Sequence, residues 1–326
     1  MTKDIQWEAR IGRRLRLRDL HVFFTTVQRG SMAKAAATLG VSQPAVSKVI
    51  AELEHTLGIR LLDRSARGVE PTIYGRALLT RGNAAFDELR QSVRDIEFLA
   101  DPTVGEVRIG CQETIAAAIL PSVIHRFSQA YPRVLLHVEQ LGSLAAESSA
   151  LRQRTIDVGI FLPVKPHDET LLADDLNVEV LFHEQLVVVA GRQSHWARRR
   201  KIDLAELVDE PWVLTESDTL SHQRVAAAFA ARGLGLPKTI LLTLSTHLRT
   251  NLAASGHYIA TIANSTLRVH GDRFSLKALP VDFPAHPWPA LLVTLKNRTL
   301  SPVVGRFIQH VRDATRRLRV DQPASL

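Results

Sequence analysis

The chain has 326 residues, 45% of them hydrophobic and 23% charged, which is the composition of a soluble globular protein with two or three domains. It contains no run of 18 apolar residues, so no membrane span is expected, and its first residues lack the apolar core of a secretory signal. A cytoplasmic location is therefore expected. The single cysteine, Cys111, excludes an internal disulfide framework and a cysteine-rich zinc site.

The positive charge of the chain is concentrated near its beginning. The formal net charge is +8, and the segment from Arg10 to Arg76 contains twelve cations and five anions, an excess of +7. Binding to the phosphates of a nucleic acid requires such a local excess, so this segment is a candidate nucleic-acid interface. The run from Arg10 to Arg18 has an equally good alternative interpretation as a solvated, disordered arm.

The basic segment is predicted to form three short helices, over 17–29, 32–39 and 42–58. Gly30 and Gly40 supply the turns between them, and apolar residues at three- and four-residue steps give the third helix one buried face. Ser42 can cap this helix, and Pro44 fits its first turn. Two helices joined by a tight turn, the second one presenting Gln43, are typical of a helix-turn-helix that enters the major groove of DNA.

Further short motifs accompany these helices. They are Leu20-x-x-Phe23, Gly30-Ser31, Ala35-Ala36, Leu39, Ser42-Gln43-Pro44-Ala45-Val46-Ser47, Leu53-Glu54, Leu57-Gly58, Leu61-Leu62-x-Arg64 and Pro71-Thr72-x-x-Gly75. In this order they resemble the LysR-type transcriptional regulators, densely from about Leu17 to Gly75 and more loosely over the rest of the chain. The resemblance implies a bacterial, nucleoid-associated regulator that binds double-stranded DNA at imperfect palindromic promoter sites. It also implies a homodimer, or a homotetramer of two dimers, with RNA polymerase as a further partner.

The segment after the third helix, 59–70, is predicted to be a two-stranded wing with Arg64 and Arg67 directed at phosphates. The alternative is a solvated hairpin whose arginines contact nothing. Glutamine can form two hydrogen bonds with an adenine edge, and serine can bind either a base or a phosphate. The candidates for DNA contact are Ser31, Ser42, Gln43, Pro44, Ser47, Lys48, Arg64 and Arg67.

A long helix is predicted over Ile73–Leu99, with Thr72 as its cap. Its apolar residues step alternately by three and four, which is a heptad seam. The seam consists of Leu79, Gly82, Phe86, Leu89, Val93, Ile96 and Ala100. The helix is interpreted either as a dimerisation helix or as a helix packed on its own domain, and the family resemblance favours dimerisation.

From residue 104 onward, strands and helices alternate, which predicts an α/β domain. The predicted strands are 106–111, 134–140, 158–162, 186–190, 212–214, 240–244, 258–263, 276–279 and 291–294. The predicted helices are 114–131, 144–154, 203–207, 222–232, 247–254 and 303–317. The resemblance implies two subdomains, similar to periplasmic solute-binding proteins, with a small-molecule effector bound in the cleft between them.

The fold class is therefore α/β, with an N-terminal winged helix-turn-helix, a long linker helix and a two-subdomain effector-binding domain similar to periplasmic binding proteins. The expected divisions are a basic extension at 1–16, the winged helix-turn-helix at 17–72, the linker helix at 73–101 and the effector domain at 104–320. Within the last, subdomain I is expected at about 104–179 and 280–320, and subdomain II at about 180–279.

Candidate effector-binding groups are expected where strands end and helices begin, because free N–H groups there can receive polar ligands. They are Glu113, Thr114, Gly142, Ser143, Phe161, Glu216, Ser217 and Thr246. Each is equally well interpreted as part of a plain helix cap. Glu113 and Glu216 suggest a ligand with hydroxyls or positive charge, whereas His247 and Arg249 suit a carboxylate, so the sequence leaves the effector unidentified.

Enzymatic motifs are missing from the sequence. It has no G-x-S-x-G elbow, no phosphate loop and no G-x-G-x-x-G, and no histidine pair has metal-ligand spacing. No metal site and no cofactor are predicted, apart from a small-molecule co-inducer. Two alternatives to a regulator are a small-molecule-binding α/β protein and an atypical enzyme, either one fused to a nucleic-acid-binding module.

Overall fold

The structure, a computed structural model, describes residues 14–65, 68–101, 103–165, 174–283 and 287–320. The chain divides into two compact units, one ending at Leu89 and the other beginning at Arg90. The α-helices are α1 (Leu17–Arg29), α2 (Met32–Leu39), α3 (Gln43–Leu57), α4 (Ile73–Ala100), α5 (Glu113–Ala118), α6 (Leu120–Ala130), α7 (Leu144–Arg152), α8 (Leu220–Ala230), α9 (Thr246–Ala254), α10 (Asn264–His270) and α11 (Pro302–Val320). The strands are β1 (Leu62–Ser65), β2 (Gly68–Pro71), β3 (Val104–Cys111), β4 (Arg133–Gln140), β5 (Val158–Phe161), β6 (Leu176–Glu184), β7 (Leu186–Gly191), β8 (Trp212–Leu214), β9 (Thr239–Leu242), β10 (Ile259–Ala263), β11 (Leu276–Ala278) and β12 (Trp288–Leu295).

The first unit packs α1, α2 and α3 around one apolar core. Phe23, Val46 and Ile50 are fully buried in this core. Each of the three helices is followed by a glycine in the left-handed region, with φ between 61° and 71°, where a side chain would be strained. The predicted helix-turn-helix is confirmed. It could be predicted because apolar spacing and turn glycines are signals between residues that are close in sequence.

The predicted two-stranded wing is also present. β1 and β2 pair antiparallel, and the carboxylate of Glu54 on α3 accepts hydrogen bonds from the N–H groups of Leu61 at 2.8 Å and Leu62 at 3.1 Å. On the other strand, the N–H of Val69 donates to the carbonyl of Gly30 at 2.9 Å. The wing is thus held against both α3 and the turn that follows α1.

Helix α4 has two different faces along its length. In its first part Gly82 lies so close to the ring of Phe24 that a Cβ would overlap it, and Phe86 packs edge-on against Phe24 at 5.4 Å between ring centres. In its second part the apolar strip formed by Leu89, Val93, Ile96 and Leu99 is 45–79% exposed. The interpretation of a helix packed on its own domain therefore describes the first part of the seam. The second part of the helix presents a strip of exposed apolar side chains, and Ile73 and Tyr74 at its start are exposed as well.

The second unit contains two five-stranded sheets, in the strand orders β4-β3-β5-β12-β6 and β11-β7-β10-β8-β9. The chain passes from the first sheet to the second between β6 and β7 and returns between β11 and β12. β3 is parallel to β4 and β5, whereas β12 is antiparallel to β5 and β6. The predicted α/β architecture with two subdomains is confirmed.

The sequence prediction differs from the structure at three elements in this unit. It omits β6 and α10, and it joins α5 and α6 into one helix. Pro121 in the first turn of α6 has no N–H to continue a helix from α5, which explains the break at Ile119. Strand β6 lies at a sheet edge and leaves Val178 and Val180 exposed, so its pattern lacks a continuous apolar face.

A buried ion pair joins three segments of the first sheet's subdomain. The guanidinium of Arg298 donates to the carboxylate of Asp157 at 2.8 Å and to the carbonyl of Ile156 at 2.8 Å, and both charged side chains are 1% exposed. The same carboxylate accepts from the N–H of Arg108 on β3 at 2.9 Å. The carboxylate also lies 3.7 Å from the guanidinium of Arg94. Removing one partner of such a buried pair is far costlier than breaking a surface pair.

We expect Asp157→Ala to lower the free energy of unfolding by about 3–5 kcal/mol, because it removes the buried carboxylate that accepts from the Arg298 guanidinium and from the N–H of Arg108. The measurement is urea denaturation followed by tryptophan fluorescence, since Trp196, Trp212 and Trp288 all lie in the second unit. The control is Asp175→Ala, which breaks an exposed pair with Arg152 and should cost about 0–1 kcal/mol. Equal losses in the two variants would contradict the assignment.

Candidate DNA-reading helix and effector cavity

The amino-terminal end of α3 is open to solvent. Its first turn is closed by Ser42, whose hydroxyl accepts from the N–H of Ala45 at 3.4 Å, and Gln43 and Pro44 are exposed. Ser47 is half-buried, while the side chain of Lys48 is 78% exposed and lies 3.9 Å from Glu52. The buried residues Val46, Ile50 and Leu53 hold the opposite face, so this end of the helix presents its polar groups outward.

Three further DNA-contact candidates lie away from α3. Ser31 precedes α2 in extended conformation and makes no side-chain cap hydrogen bond. Arg64 is exposed on β1 of the wing. Arg67 lies outside the described residues, as does most of the expected basic extension at 1–16.

A cavity of about 510 Å³ lies between the two subdomains of the second unit. Its walls include residues 112–114, 140–142 and 162–164 on one side and 219–221, 244–245 and 262–263 on the other. Of the candidates for effector binding, Glu113, Thr114 and Gly142 line this cavity. The lining combines apolar side chains with polar and charged ones, as a site for a small molecule that carries both kinds of group requires.

The other effector-binding candidates lie elsewhere. Ser143 caps α7, accepting from the N–H of Ala146 at 3.2 Å, and Phe161 is fully buried in a core cluster. Glu216 and Ser217 are exposed and do not line the cavity. Thr246 lines a second cavity of about 300 Å³. Phe161 packs with Leu144, Leu151 and Ile156 in that core cluster, and none of these residues lines the cavity.

Two adjacent residues of α5 connect the subdomains. The carboxylate of Glu113 accepts from the N–H groups of Thr246 and His247, each at 2.9 Å, and the hydroxyls of Thr114 and Thr246 are 3.1 Å apart. A helix N-terminus has unpaired N–H groups and partial positive charge, so a carboxylate is stable there. Glu113 therefore caps α9 from across the cavity, and these N–H groups are already occupied.

The cavity wall also includes Arg249, which was noted from the sequence as suited to a carboxylate but was not placed among the candidate effector-binding residues. Arg249 is 7% exposed and donates to the carbonyl of Thr261 at 3.2 Å and to the hydroxyl of Thr246 at 3.4 Å. Burial lowers the pKa of its guanidinium to about 10, and the charge of Glu113 offsets part of that effect. The available signal was helical spacing, because Arg249 is three residues beyond Thr246 on α9.

Metal and redox chemistry have little support in this unit. Among the described residues, no group of three or more histidine, cysteine, aspartate or glutamate side chains could hold a metal ion. Cys111 is buried, and burial, with a smaller contribution from Glu147, raises the pKa of its thiol to about 12. A thiol with so high a pKa stays protonated at neutral pH and is a poor nucleophile. Over the same residues, no helix is long and apolar enough to cross a membrane.

Known proteins resemble the whole chain. HTH-type transcriptional regulator YdcI of Escherichia coli is 30% identical over 301 residues, covering 92% of this chain and 96% of that protein. GbpR, an HTH-type transcriptional regulator of Azospirillum brasilense, is 28% identical over 322 residues, covering 96% of this chain and 92% of its own. GltC, a transcriptional dual regulator of Bacillus subtilis, is 26% identical over 298 residues, covering 91% and 96%.

Solved structures share the fold. A full-length OxyR variant from Pseudomonas aeruginosa has a TM-score of 0.64 at 19% identity, covering 96% of this chain and 99% of its own. CbnR in complex with its target DNA has a TM-score of 0.51 at 22% identity, covering 92% and 100%.

Two family models match the chain. Residues 17–76 match the bacterial regulatory helix-turn-helix protein, lysR family, and residues 100–316 match the LysR substrate binding domain. Members of this family are DNA-binding transcriptional regulators rather than enzymes, they form oligomers, and control by a small-molecule effector is typical of them. The chain belongs to the LysR family of transcriptional regulators.

Proposed function

We propose that this regulator binds imperfect palindromic promoter sites in double-stranded DNA as a homodimer, or as a tetramer of two dimers, and that a small-molecule co-inducer controls it. It acts on the nucleoid in the bacterial cytoplasm, with RNA polymerase as a further partner. The observation that carries the proposal is the exposed end of α3, where Gln43 lies outward beside an arginine-bearing wing.

The DNA contacts divide into two kinds. Gln43 and Ser47 lie near the start of α3 and read base edges in the major groove, because their side chains both donate and accept hydrogen bonds. Lys48 and Arg64 bind phosphates, which sets the position of the protein without reading sequence. Ser31 and Ser42 lie at helix starts and bring backbone N–H groups close to the DNA, and Pro44, which has no N–H, lies in the same first turn of α3.

Dimer formation uses the apolar strip of α4. Four apolar side chains exposed along one helix are an unusual surface for a monomer, and a second copy of the helix would cover them. A two-fold dimer brings two α3 helices to two half-sites, which is why a palindrome is expected.

The co-inducer binds in the cavity between the subdomains. Glu113, Thr114 and Gly142 line that cavity, and Thr246 is joined to the first two of them by hydrogen bonds. A ligand held by both subdomains favours one of their arrangements over another, and only such a difference in affinity can shift an equilibrium. Ser143, Phe161, Glu216 and Ser217 are left out of this site because none of them lines the cavity.

Replacing Gln43 with alanine should weaken binding to the specific site by about 1–3 kcal/mol and change binding to unrelated DNA little, because the lost bonds read a base. Gel-shift titrations with both DNAs measure this. Gln28→Ala, at an exposed glutamine of α1, is the control and should leave both affinities unchanged. Equal losses on the two DNAs would show that Gln43 does not read bases.

Arg64→Ala should weaken binding to every DNA and reduce the slope of log affinity against log salt by about one unit, since one phosphate contact is lost. The slope is obtained from binding titrations at several salt concentrations. Arg126→Ala removes an exposed arginine of α6 and serves as control. An unchanged slope for Arg64→Ala would place this side chain away from phosphate.

Val93→Lys introduces like charges from two chains into the proposed dimer seam. We expect loss of the dimer in sedimentation and loss of binding to palindromic genomic fragments, while circular dichroism stays that of the folded chain. Asn83→Lys puts the same cation at an exposed position of α4 outside the strip and should preserve both properties. A Val93→Lys protein that still sediments as a dimer would exclude this seam.

A further inference from the structure

The cavity between the subdomains holds two charged side chains of opposite sign. Among the described residues that line it, Glu113 and Arg249 are the charged ones. A cavity with charges of both signs does not by itself favour an anionic or a cationic ligand. The preferred ligand charge depends on which of the two side chains is already compensated by the protein. The hydrogen bonds of Glu113 and Arg249 compensate the two charges to different extents.

The negative charge is well compensated. Both oxygens of Glu113 accept hydrogen bonds from backbone N–H groups at 2.9 Å, at the N-terminus of α9. Charged acceptors form stronger hydrogen bonds than neutral ones, and the helix terminus adds its own partial positive charge. A cationic ligand group would have to compete with these preformed donors.

The positive charge is compensated poorly. The guanidinium of Arg249 is more than nine-tenths buried and donates to two neutral oxygens, at 3.2 and 3.4 Å, which are long for a charged donor. Its Nε has no hydrogen-bond partner among the described residues. A buried cation in this condition gains from an added anion, because burial has removed its water.

The neighbouring polar groups also favour an anionic ligand. Gln112 uses both ends of its amide on the backbone of Leu162, at 2.9 and 3.0 Å, and the hydroxyls of Thr215 and Thr219 bind each other at 2.7 Å. The hydroxyl of Ser221, another lining residue, is buried and has no partner among the described residues. Among the described lining residues, the buried groups without a partner are therefore the Nε–H of Arg249, which can only donate, and the hydroxyl of Ser221, which can donate to an anion as well as accept.

Apart from Thr114, Gln140 and Ser245, the rest of the wall is apolar. Leu186, Leu220, Leu244, Ile262 and Trp288 line the cavity and offer no hydrogen bond to a ligand, apart from the indole N–H of the tryptophan. Burying an apolar group against such a wall contributes roughly 25 cal/mol per Å² of area, so a ligand with an apolar body is favoured over a polyol.

We propose that the co-inducer is a small carboxylate with an apolar body, whose anionic group binds beside Arg249. The inference rests on the proposed function, in which this cavity receives the co-inducer. It resolves the conflict left by the sequence, because Glu216 lies outside the cavity and the carboxylate of Glu113 is already occupied. Arg249 is a ligand-binding residue in this assignment.

The test uses two matched sets of probes that differ only in their polar group. The first set is hexanoate, hexanamide and hexylamine, and the second is phenylacetate, phenylacetamide and phenethylamine. Thermal shift and titration calorimetry on the full chain at neutral pH measure binding. We expect the acid of at least one set to bind at least about tenfold more tightly than its amide and its amine.

Arg249→Gln should raise the Kd of that acid by about ten- to a hundredfold and change the Kd of the amide by less than about twofold, because only the acid loses a charged partner. Arg249→Lys should retain a preference for the acid. Arg126→Gln, at an exposed arginine outside the cavity, is the control and should match wild type.

A second variant decides the matter if the Arg249 variants do not fold. Glu113→Gln removes the negative charge next to the proposed anion site, so it should tighten binding of the acid and weaken binding of the amine. Preference for an amide or amine, failure of both acids to bind, or unchanged affinities in Glu113→Gln would overturn the inference. DNA binding is measured separately, so a protein that binds acids but no specific DNA would contradict the proposed function alone.

Discussion

The carboxylate of Glu113 and the start of α9 form the contact on which the cavity depends. Glu113 lies in the first turn of α5, in the subdomain of the first sheet, and α9 belongs to the subdomain of the second. The N–H groups of Thr246 and His247 donate hydrogen bonds to this carboxylate, and the N–H of Leu248 donates to the hydroxyl of Ser245. Two of these three N–H groups are thus capped from the other subdomain and one from within the helix's own subdomain.

This shared cap has consequences for both sides of the cavity. Separating the subdomains would expose two N–H groups and a carboxylate to water, so the contact stabilises the arrangement only by the difference between these bonds and bonds to water. Such a small net stabilisation is compatible with a regulated equilibrium, because it does not lock the two subdomains together. The neighbouring contact between the hydroxyls of Thr114 and Thr246 is neutral and adds to the same boundary.

Sequence reasoning succeeded where the signals are local. The helices of the first unit follow from apolar spacing within one turn and from Gly30 and Gly40, and the wing follows from a short polar segment between apolar ends. Glu113, Thr114 and Gly142 line the cavity because they follow strand ends that lie together at one edge of the sheet, and their role in effector binding stays a prediction. Ser143 was included for the same reason, but its hydroxyl is used inside its own helix turn.

What the sequence could not provide is the direction of side chains across the boundary between subdomains. Glu113 and Thr246 are 133 positions apart, and nothing local predicts that one caps the helix of the other. The seam of α4 shows the same limit, since its spacing is regular throughout while Phe24 of α1 covers only the first part. Spacing predicts which residues share a face, and tertiary packing decides what covers that face.

The two charges of the cavity are coupled, which connects ligand binding to the contact between the subdomains. The negative charge of Glu113 favours the charged form of Arg249, and Arg249 also donates to the hydroxyl of Thr246, the residue whose N–H binds Glu113. An anion beside Arg249 repels Glu113 and at the same time relieves the guanidinium of its poor compensation. Ligand charge therefore acts on the same few atoms that hold α5 against α9. In the proposed assignment, the charge of the ligand, more than its volume, therefore provides the difference in affinity between two arrangements that a two-state regulator requires.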